Sequence, residues 1–378
     1  MILPMPFVQA LGTQFVLDNQ PFYFAGANNY YLSYKSNFVV DAVLDAALAI
    51  GLKVIRTWAF LDMGSLDGSV PSINPPGPKE GVYFQYWDPA SGAPAYNDGP
   101  TGLEHLDYVL DAARQRGLKL ILPLVNNWQD FGGVDQYAVW YGLNSHQDFY
   151  ADSRSRQAYK EWASHLLSRT NVYNGLPIKK DDTIMAWELG NELRCPGNSS
   201  ALLDWIGEMS SFLKANDPNH IVGVGDEGFL RRAGSPDWTY DGSQGADFEA
   251  FLGLADIDFG SFHLYPETWG KAGDFGDYWI RDHIDCCLRA NKPALLEEYG
   301  LRDQAARETV YQRWLDAIFN QGGAADLFWM LASTQDDGSL YPDFDGFTLY
   351  ADSVPEAILA HAARMTARNA ASASAAQS

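Results

Sequence analysis

Short apolar runs alternate along this chain with longer segments in which apolar residues recur every three or four positions. Segment 103–116 is of the second kind, because its leucines fall on one helical face. It ends at Gly117, and the apolar run 119–124 follows at once. Glycine readily takes the left-handed backbone that closes a helix, so the pattern predicts a helix, a tight turn and a buried strand.

The same unit occurs at Gly51-Leu52-Lys53 and at Gly117-Leu118-Lys119, and the rhythm continues to the end of the chain. Strands are predicted at 22–26, 53–58, 119–124, 183–188, 220–225, 257–263, 293–298 and 325–331. Helices are predicted at 41–50, 103–116, 155–169, 201–215, 278–290, 304–320 and 355–368. Eight buried strands with intervening helices indicate an α/β protein, a (β/α)8 TIM barrel, and residues 7–17 predict a β-hairpin ahead of it.

Two long segments interrupt this rhythm, each after a strand. Residues 60–100 are rich in Gly, Pro, Ser and Asp, and residues 126–153 are also long. Long loops in compact domains are usually functional, so we expect both to form cleft walls at the C-terminal face of the barrel. We find no linker and predict one catalytic domain, residues 1–368. Residues 369–378 are low in complexity and predict a disordered tail.

The composition narrows the range of partners. The formal net charge is −22 with 47% hydrophobic residues, so we expect no binding to nucleic acid or to anionic membranes. The charge fits a soluble protein that meets a neutral polymer, although solubility alone explains it equally well. The 12 Trp residues suit sugar binding, because pyranose C–H faces stack on indole rings, but each is also a candidate core residue.

The sequence gives no indication of a metal or a cofactor. The cysteines are Cys195, Cys286 and Cys287, and the CxxC and HExxH motifs are absent. One disulfide from Cys195 is possible, but the sequence does not decide it. Residues 1–5 lack the basic and apolar regions of a signal peptide.

Candidate chemistry lies where two apolar runs end in carboxylates. Segment 183–188 leads into Asn191-Glu192, and segment 293–298 ends in Glu297-Glu298 before an aromatic residue and glycine. The C-terminal ends of barrel strands open on one face, so both side chains can reach one cleft. Retaining glycoside hydrolysis needs a proton donor and a second carboxylate that attacks the anomeric carbon. We predict Glu192 as the acid/base and Glu298 as the nucleophile; a single strand-end Glu is more often a surface or salt-bridged residue.

These motifs resemble glycoside hydrolase family 5, over about residues 6 to 368. Asn191-Glu192 matches the family acid/base motif, and Glu298 before Tyr299-Gly300 matches the nucleophile motif, which leaves Glu297 as a neighbour. Other positions match substrate-site residues of the family: Arg56 as the arginine that binds the nucleophile, His263 and Tyr265 as the strand-six pair, and Trp329 as the floor of the −1 subsite. The alternative for His263 and Tyr265 is a core position.

Within the family, the chain is most similar to fungal and plant endo-β-1,4-mannanases. The segment 22–32 is typical of that group, as are Asn126-Asn127-Trp128 and Trp140-Tyr141-Gly142. Arg194 matches a mannanase arginine on the aglycone side. The alternatives are that Trp128 belongs to the core and that Arg194 pairs with a loop acid. Secreted fungal members carry a second Cys soon after the one that follows this arginine, and this chain has none near Cys195, which puts a disulfide framework in doubt.

The resemblance implies a retaining endo-β-1,4-mannanase that acts on β-mannan and manno-oligosaccharides, with transglycosylation as a further outcome. The alternatives are an exo-acting β-mannosidase, a β-1,4-glucanase, or a sugar-binding protein that has lost its chemistry. We expect a secreted monomer without metal or cofactor, with Glu192 protonated and Glu298 ionised before reaction. Repulsion between the carboxylates separates their pKa values, and Arg56 favours the charged form of Glu298.

Overall fold

A computed structural model describes residues 6–70 and 81–375. Residues 1–5, with the signal-peptide prediction, residues 71–80 of the first long loop and residues 376–378 of the tail lie outside this part of the chain. The strands are, in order, β1 Gln9–Leu11, β2 Gln14–Leu17, β3 Gln20–Pro21, β4 Phe24–Asn28, β5 Val54–Arg56, β6 Gln85–Asp88, β7 Ala93–Tyr96, β8 Lys119–Pro123, β9 Ile184–Glu188, β10 Ile221–Gly223, β11 Gly260–Leu264, β12 Ala294–Tyr299, β13 Ala325–Phe328, β14 Leu331–Ala332 and β15 Leu349–Tyr350. The α-helices are α1 Asn37–Ala49, α2 Leu103–Gln115, α3 Gly133–Tyr141, α4 Ser153–Ser168, α5 Ser199–Asn216, α6 Phe248–Leu252, α7 Phe275–Ala290, α8 Arg307–Gln321 and α9 Glu356–Ala375.

The central sheet is a parallel barrel. Its eight strands lie side by side in the order β10-β9-β8-β5-β4-β13-β12-β11. The first and last strands of this order, β10 and β11, also meet and close the barrel. The backbone N–H of Asp258 donates to Val222 O at 2.8 Å, and that of His263 donates to Glu227 O at 3.2 Å. The (β/α)8 fold predicted from the sequence is confirmed, and helices lie between successive strands on the outside.

The N-terminal residues form a small antiparallel sheet, β1-β2-β3, at the N-terminal end of the barrel. Phe15 of this sheet packs against Phe24 at 5.7 Å and Phe259 at 5.6 Å between ring centroids. The same buried cluster contains Val54 and Leu295 from the barrel strands. The predicted hairpin is therefore present with one additional strand, and it closes this end of the barrel with apolar side chains.

The outer helices also fix the strands that carry polar residues. Trp279 of α7 is fully buried, and its indole N–H donates to the backbone oxygen of His263 at 2.8 Å. Trp314 of α8 is equally buried and packs against Tyr299. Tryptophan has a large apolar surface and one donor. Trp279 therefore joins α7 to β11 through packing and a directed bond, whereas Trp314 packs on β12 and donates to Gly273 O at 3.0 Å, in the loop before α7.

The C-terminal helix is longer than the sequence predicts. Residues 369–375 were expected to be disordered, and this is wrong, because α9 continues to Ala375. Asn369 accepts from the Tyr23 backbone N–H at 2.7 Å and donates to its oxygen at 2.8 Å, and the guanidinium of Arg368 lies 3.9 Å from the Tyr23 ring centroid. Alanine is the strongest helix former, so an Ala-rich end that is anchored by Asn369 continues the helix.

The three cysteines, Cys195, Cys286 and Cys287, are buried free thiols. The disulfide left open by the sequence is therefore not formed. Among the described residues, none of the helices is long and apolar enough to cross a bilayer.

The two long loops contain regular structure and are joined by hydrogen bonds around the buried residue Asp62. The first loop forms the β6-β7 hairpin, and the second contains α3. The backbone N–H of Asp62 donates to Phe131 O at 2.8 Å, which links the two loops. The Gln85 amide donates to Asp62 Oδ1 at 2.7 Å and to the Tyr137 hydroxyl at 2.8 Å. Burial raises the pKa of Asp62 to about 8, although the Gln85 bond opposes this rise.

We expect Asp62 to make the protein less stable as the pH rises. The folded state holds its proton up to about pH 8, whereas an unfolded Asp releases it at about pH 4. Each pH unit between these values costs about 1.4 kcal/mol of unfolding free energy. Asp62→Asn keeps the acceptor without the titration, so its stability should fall less between pH 5 and pH 9 in urea unfolding. Asp204→Asn, on the exposed face of α5, is the control; equal pH slopes for the wild type and Asp62→Asn would contradict the assignment.

Candidate active site

A cleft of about 1020 Å³ lies at the C-terminal edge of the barrel, where the sequence predicted it. Its base contains Asn191, Glu192 and Glu298, which follow or end strands β9 and β12. Much of its wall is aromatic, including Tyr30, Trp58, Trp128, Tyr265, Trp329 and Tyr341. The arrangement combines carboxylates with flat apolar surfaces, as sugar binding requires.

Glu192 and Glu298 face each other across the base of the cleft. One carboxylate oxygen of each, together with a ring nitrogen of His263, lies within 4.8 Å of the others. Retaining glycosidases place their two carboxyl groups roughly 5–5.5 Å apart, and inverting enzymes place them further apart. Glu192 has φ of +58°, a left-handed conformation that is rare outside glycine. Its backbone N–H donates to Gly225 O at 2.7 Å, which helps to hold this conformation.

Arg56, at the end of β5, is a fully buried cation that joins the strands of the site. Its guanidinium donates to Glu188 Oε2 at 2.7 Å, Glu298 Oε1 at 2.6 Å and Asn191 Oδ1 at 2.9 Å. A fourth, longer bond reaches Asn28 Oδ1 at 3.3 Å. The predicted contact between Arg56 and the nucleophile candidate is present, and the guanidinium also orients the Asn191 amide.

Two further carboxylates in this network, Glu188 and Glu297, were not predicted as site residues. Glu297 Oε2 lies 3.5 Å from Arg56 Nη2 and 3.2 Å from His263 Nε2. Successive strand residues normally face opposite sides, but the pairing of β11 with β12 shifts register between Phe262 and His263. Because of this irregularity, Glu297 and Glu298 both reach Arg56. In the sequence, this role of Glu297 is indicated only by the two consecutive Glu residues, and they do not reveal the irregular strand pairing.

Glu188 and Glu297 share one buried environment but differ in protonation. Burial and the charge of Glu297 raise the pKa of Glu188 well above its usual range, although Arg56 opposes the rise. Burial also acts to raise the pKa of Glu297, but Arg56, Glu188 and His263 outweigh it and lower that pKa. These opposite directions favour a single negative charge on the pair, stabilised by Arg56.

His263 lies between three carboxylates. Its Nδ1 is 2.8 Å from Glu192 Oε1 and 3.5 Å from Glu298 Oε2, and its Nε2 faces Glu297. Burial lowers the pKa of His263, but these carboxylates outweigh burial and raise it well above its usual range. His263 is therefore positioned at the candidate carboxylates and is not an isolated core histidine.

Tyr265 directs its hydroxyl at the other oxygen of the nucleophile candidate. The Tyr265 O–H donates to Glu298 Oε2 at 2.7 Å. Burial and the neighbouring Glu298 charge raise the Tyr265 pKa well above its usual range, so the phenol keeps its proton. Glu298 consequently accepts one bond from a cation and one from a phenol, and both favour its ionised form.

The pKa directions of the two candidate carboxylates differ from the expectation. Burial raises the pKa of Glu192, but bonds from His263 and Trp128 outweigh it and lower that pKa. Burial and the charge of Glu192 raise the pKa of Glu298, against the effects of His263 and Arg56. The cause for Glu192 is the imidazole of His263, which the sequence did not reveal: its raised pKa favours a cation at the other end of a 2.8 Å hydrogen bond.

Trp128 and Arg194 form one wall of the cleft next to Glu192. The Trp128 indole N–H donates to Glu192 Oε2, and its side chain is 41% exposed, so it lines the cleft and is not a core residue. The Arg194 guanidinium lies 5.0 Å from the Trp128 ring and 4.9 Å from the Phe229 ring. It also forms a bidentate pair with Glu227, at 2.6 and 2.7 Å. Arg194 thus lines the cleft and also pairs with a loop acid.

Trp329 lines the cleft directly after β13, and its backbone N–H donates to Tyr299 O at 2.9 Å, next to Glu298. Its indole N–H donates to Asp345 Oδ2 at 2.7 Å, and its ring stacks on Tyr30 at 5.8 Å with 17° between the planes. Asp345 also accepts from the Phe347 backbone N–H at 2.9 Å, so it links the Trp329 ring to the loop after β14. Sequence reasoning did not identify Asp345, because an acid in a Gly- and Asp-rich loop resembles a solvated turn residue.

Glu192, His263 and Glu298 are also the described residues whose ligand atoms cluster closely enough to hold a metal ion. The same atoms are engaged in hydrogen bonds to one another and to Arg56, Tyr265 and Trp128. The expectation that the protein needs no metal stays a prediction.

Comparison with known proteins agrees with this geometry. The family model described as "GH family 5 beta-mannosidase-like" matches residues 5–322. Mannan endo-1,4-beta-mannosidase F of Aspergillus fumigatus is 41% identical over 348 residues, which cover 91% of this chain and 74% of the relative. The crystal structure of the endo-1,4-beta-mannanase from Rhizomucor miehei has a TM-score of 0.86 and 39% identity, covering 96% of this chain and 99% of that one.

A bacterial structure leads to the same family. The endo-beta-1,4-mannanase from Thermotoga petrophila has a TM-score of 0.81 and 40% identity, covering 91% of this chain and 77% of that one. Barrel, paired carboxylates and relatives therefore agree, and the chain belongs to glycoside hydrolase family 5.

Proposed function

We propose that this protein is a retaining endo-β-1,4-mannanase that hydrolyses internal β-1,4-mannosidic bonds by double displacement. The observation that carries the mechanism is the pair Glu192 and Glu298, whose oxygens approach within 4.8 Å in an aromatic cleft. The substrate class follows from the relatives, which are named as mannan endo-1,4-β-mannosidases and endo-mannanases. We further propose that residues 1–368 act as one catalytic domain.

In the first step, Glu298 attacks the anomeric carbon and Glu192 protonates the leaving oxygen. The bonds from Arg56 and Tyr265 hold Glu298 in position and keep its charge available. A positioned general acid contributes typically 10²–10⁴-fold to such a reaction. The products of this step are a glycosyl ester on Glu298 and a free reducing-end fragment.

His263 supplies the proton that Glu192 needs. The 2.8 Å bond between His263 Nδ1 and Glu192 Oε1 allows the proton to move to the carboxylate as the leaving oxygen takes it up. When Glu298 becomes an ester, its negative charge disappears, and the pKa values of His263 and Glu192 both fall. Glu192 can then act as a base, deprotonating the water, or the sugar acceptor of a transglycosylation, that attacks the ester.

The remaining site residues bind and orient the sugar chain. Asn191 uses one amide N–H on Asn126, and we assign its second N–H to the sugar 2-hydroxyl, a contact that strengthens in the transition state. Trp329 provides the floor of the −1 subsite. Trp128 and Arg194 lie beside the proton donor, so they contact the leaving portion of the chain on the aglycone side.

Internal cleavage is favoured because solvent-exposed aromatic rings lie on both sides of the catalytic pair. Trp128 is 41% exposed and bonds to Glu192, whereas Phe344 is 74% exposed on the cleft wall and is connected to Trp329 through the rings of Tyr30 and Tyr341. A chain can therefore extend past the reacting bond in both directions, whereas an exo-acting β-mannosidase needs one end blocked. A β-glucanase would use the same carboxylates, but the relatives do not favour it.

We also propose that the protein is a secreted monomer that binds neither nucleic acid nor membranes. Its net charge of −22 opposes binding to polyanions. Mannan is a polymer that an enzyme meets outside the cell, which supports extracellular action.

The product profile from β-1,4-mannohexaose tests internal cleavage. We expect mannobiose to mannotetraose at early times, because the cleft accommodates sugars on both sides of the reacting bond. Chromatography of the first few per cent of conversion gives this profile, with cellohexaose as the matched substrate that should remain intact. Mannose with mannopentaose alone would indicate exo attack, and faster cleavage of cellohexaose would support the glucanase.

Alanine variants with azide separate the roles of the two carboxylates. Glu298→Ala and Glu192→Ala should each lose at least about 10³-fold in kcat on mannan. Added azide should restore the activity of Glu298→Ala and give α-mannosyl azide as the product, because azide attacks the sugar directly from the side that Glu298 occupied. Azide should also restore the activity of Glu192→Ala on an activated aryl mannoside. The product should then be β-mannosyl azide, because azide attacks the glycosyl ester on Glu298.

The matched control is Glu161→Ala, on the exposed face of α4. It should keep wild-type activity, and its product should not depend on azide. Wild-type activity in either catalytic-site variant, or the opposite anomers from the two, would overturn the assignment.

A further inference from the structure

Phe344 is the most exposed large apolar side chain among the described residues, at 74%. It lines the same cleft as Glu192 and Glu298, so its exposure faces the substrate space and not an outer surface of the barrel. The Phe344 ring contacts the Tyr341 ring edge-on, with 5.7 Å between the ring centroids and 82° between the ring planes. Its place in the cleft, and not its exposure alone, makes this ring a candidate surface for an apolar face of the substrate.

A line of aromatic rings connects Phe344 to the catalytic centre. Trp329 stacks on Tyr30 at 5.8 Å, Tyr30 lies 6.0 Å from Tyr341, and Tyr341 lies 5.7 Å from Phe344. Each step is comparable to the length of one sugar unit. Phe344 is thus no more than about three sugar units beyond Trp329, estimated from ring-to-ring contacts in this range.

The chemistry of the site identifies which half of the substrate lies there. The leaving portion is released at the proton donor, Glu192, which is bonded to Trp128. The backbone N–H of Trp329 instead donates to Tyr299 O at 2.9 Å, next to Glu298, and Tyr341 is connected to Trp329 through Tyr30. We therefore place the glycone portion along Trp329 and Tyr341. Phe344 therefore lies at the distal glycone end.

The Phe344 ring is held in place by its loop. The Tyr341 hydroxyl is 2.8 Å from that of Tyr30, and its ring stacks on Tyr31 at 3.9 Å. On the other side, Asp345 binds Trp329, and Arg302 donates to the Asp345 backbone oxygen at 3.0 Å. A ring between two anchored neighbours is pre-organised for stacking, which lowers the entropy lost on binding.

We propose that Phe344 is a distal glycone platform that makes the enzyme select long manno-oligosaccharides over short ones. The inference rests on the proposed function. Its ligand is the C–H face of a mannose unit in the glycone portion, no more than about four positions from the reacting bond because the first unit lies on Trp329. Its contribution is uniform binding, which lowers KM without changing kcat.

The test compares mannotriose with mannohexaose in Phe344→Ala. We expect a rise of about 3- to 10-fold in KM for mannohexaose with kcat unchanged, and no change for mannotriose, whose chain ends before the platform. Phe344→Trp should restore the wild-type preference, because it keeps a ring. Phe38→Ala is the matched control, since Phe38 is 54% exposed on α1 and is not among the cleft-lining residues described.

The outcomes separate this inference from the proposed function. Equal KM values for the wild type and Phe344→Ala on mannohexaose, or equal losses on both substrates, overturn the platform while the mannanase assignment stands. A wild-type protein that cleaves no manno-oligosaccharide overturns the proposed function and the platform with it. The exposed position makes misfolding unexpected, and equal melting temperatures of the variants confirm this.

Discussion

The buried guanidinium of Arg56 is the interaction on which the site depends. It bonds to Glu188, Asn191 and Glu298 at 2.6–2.9 Å, residues that come from β9, the loop after it and β12. Carboxylates this close to one another repel, and burial alone would keep them neutral. The buried cation Arg56 reverses this at Glu297, whose pKa is lowered, whereas the pKa of the neighbouring Glu188 is raised. Arg56 and its partners come from different strands, so they meet only when the barrel has closed. The same interaction therefore serves both folding and catalysis.

This arrangement has a cost in stability that the rest of the fold offsets. Burying ions is expensive unless each is paired, and removing one partner of such a network is strongly destabilising. Glu192 adds backbone strain with its φ of +58°. Apolar material surrounds these polar residues: Phe15 and its neighbours seal the opposite end of the barrel, and the buried indole of Trp279 fixes the backbone at His263. Apolar packing thus keeps the charged side chains in place and excludes water from them.

The sequence predicted the barrel, its eight strands and the two candidate carboxylates, because apolar periodicity and strand-end acids are local features. It did not predict that Glu297 reaches Arg56, since that depends on a register shift between two strands far apart in sequence. The charged state of His263 was also missed, because it results from three carboxylates that only the fold brings together. The helical residues after Asn369 were missed because composition alone does not reveal an anchoring bond to Tyr23.

The most direct measurement is covalent labelling of the nucleophile. A 2-deoxy-2-fluoro-β-mannosyl fluoride carries a good leaving group, and its fluorine slows hydrolysis of the ester, so a retaining enzyme accumulates the glycosyl intermediate. Tandem mass spectrometry of the labelled peptide distinguishes Glu298 from the adjacent Glu297. We predict one sugar on Glu298. A label on Glu297 or Glu188, or turnover without any labelled protein, would contradict it.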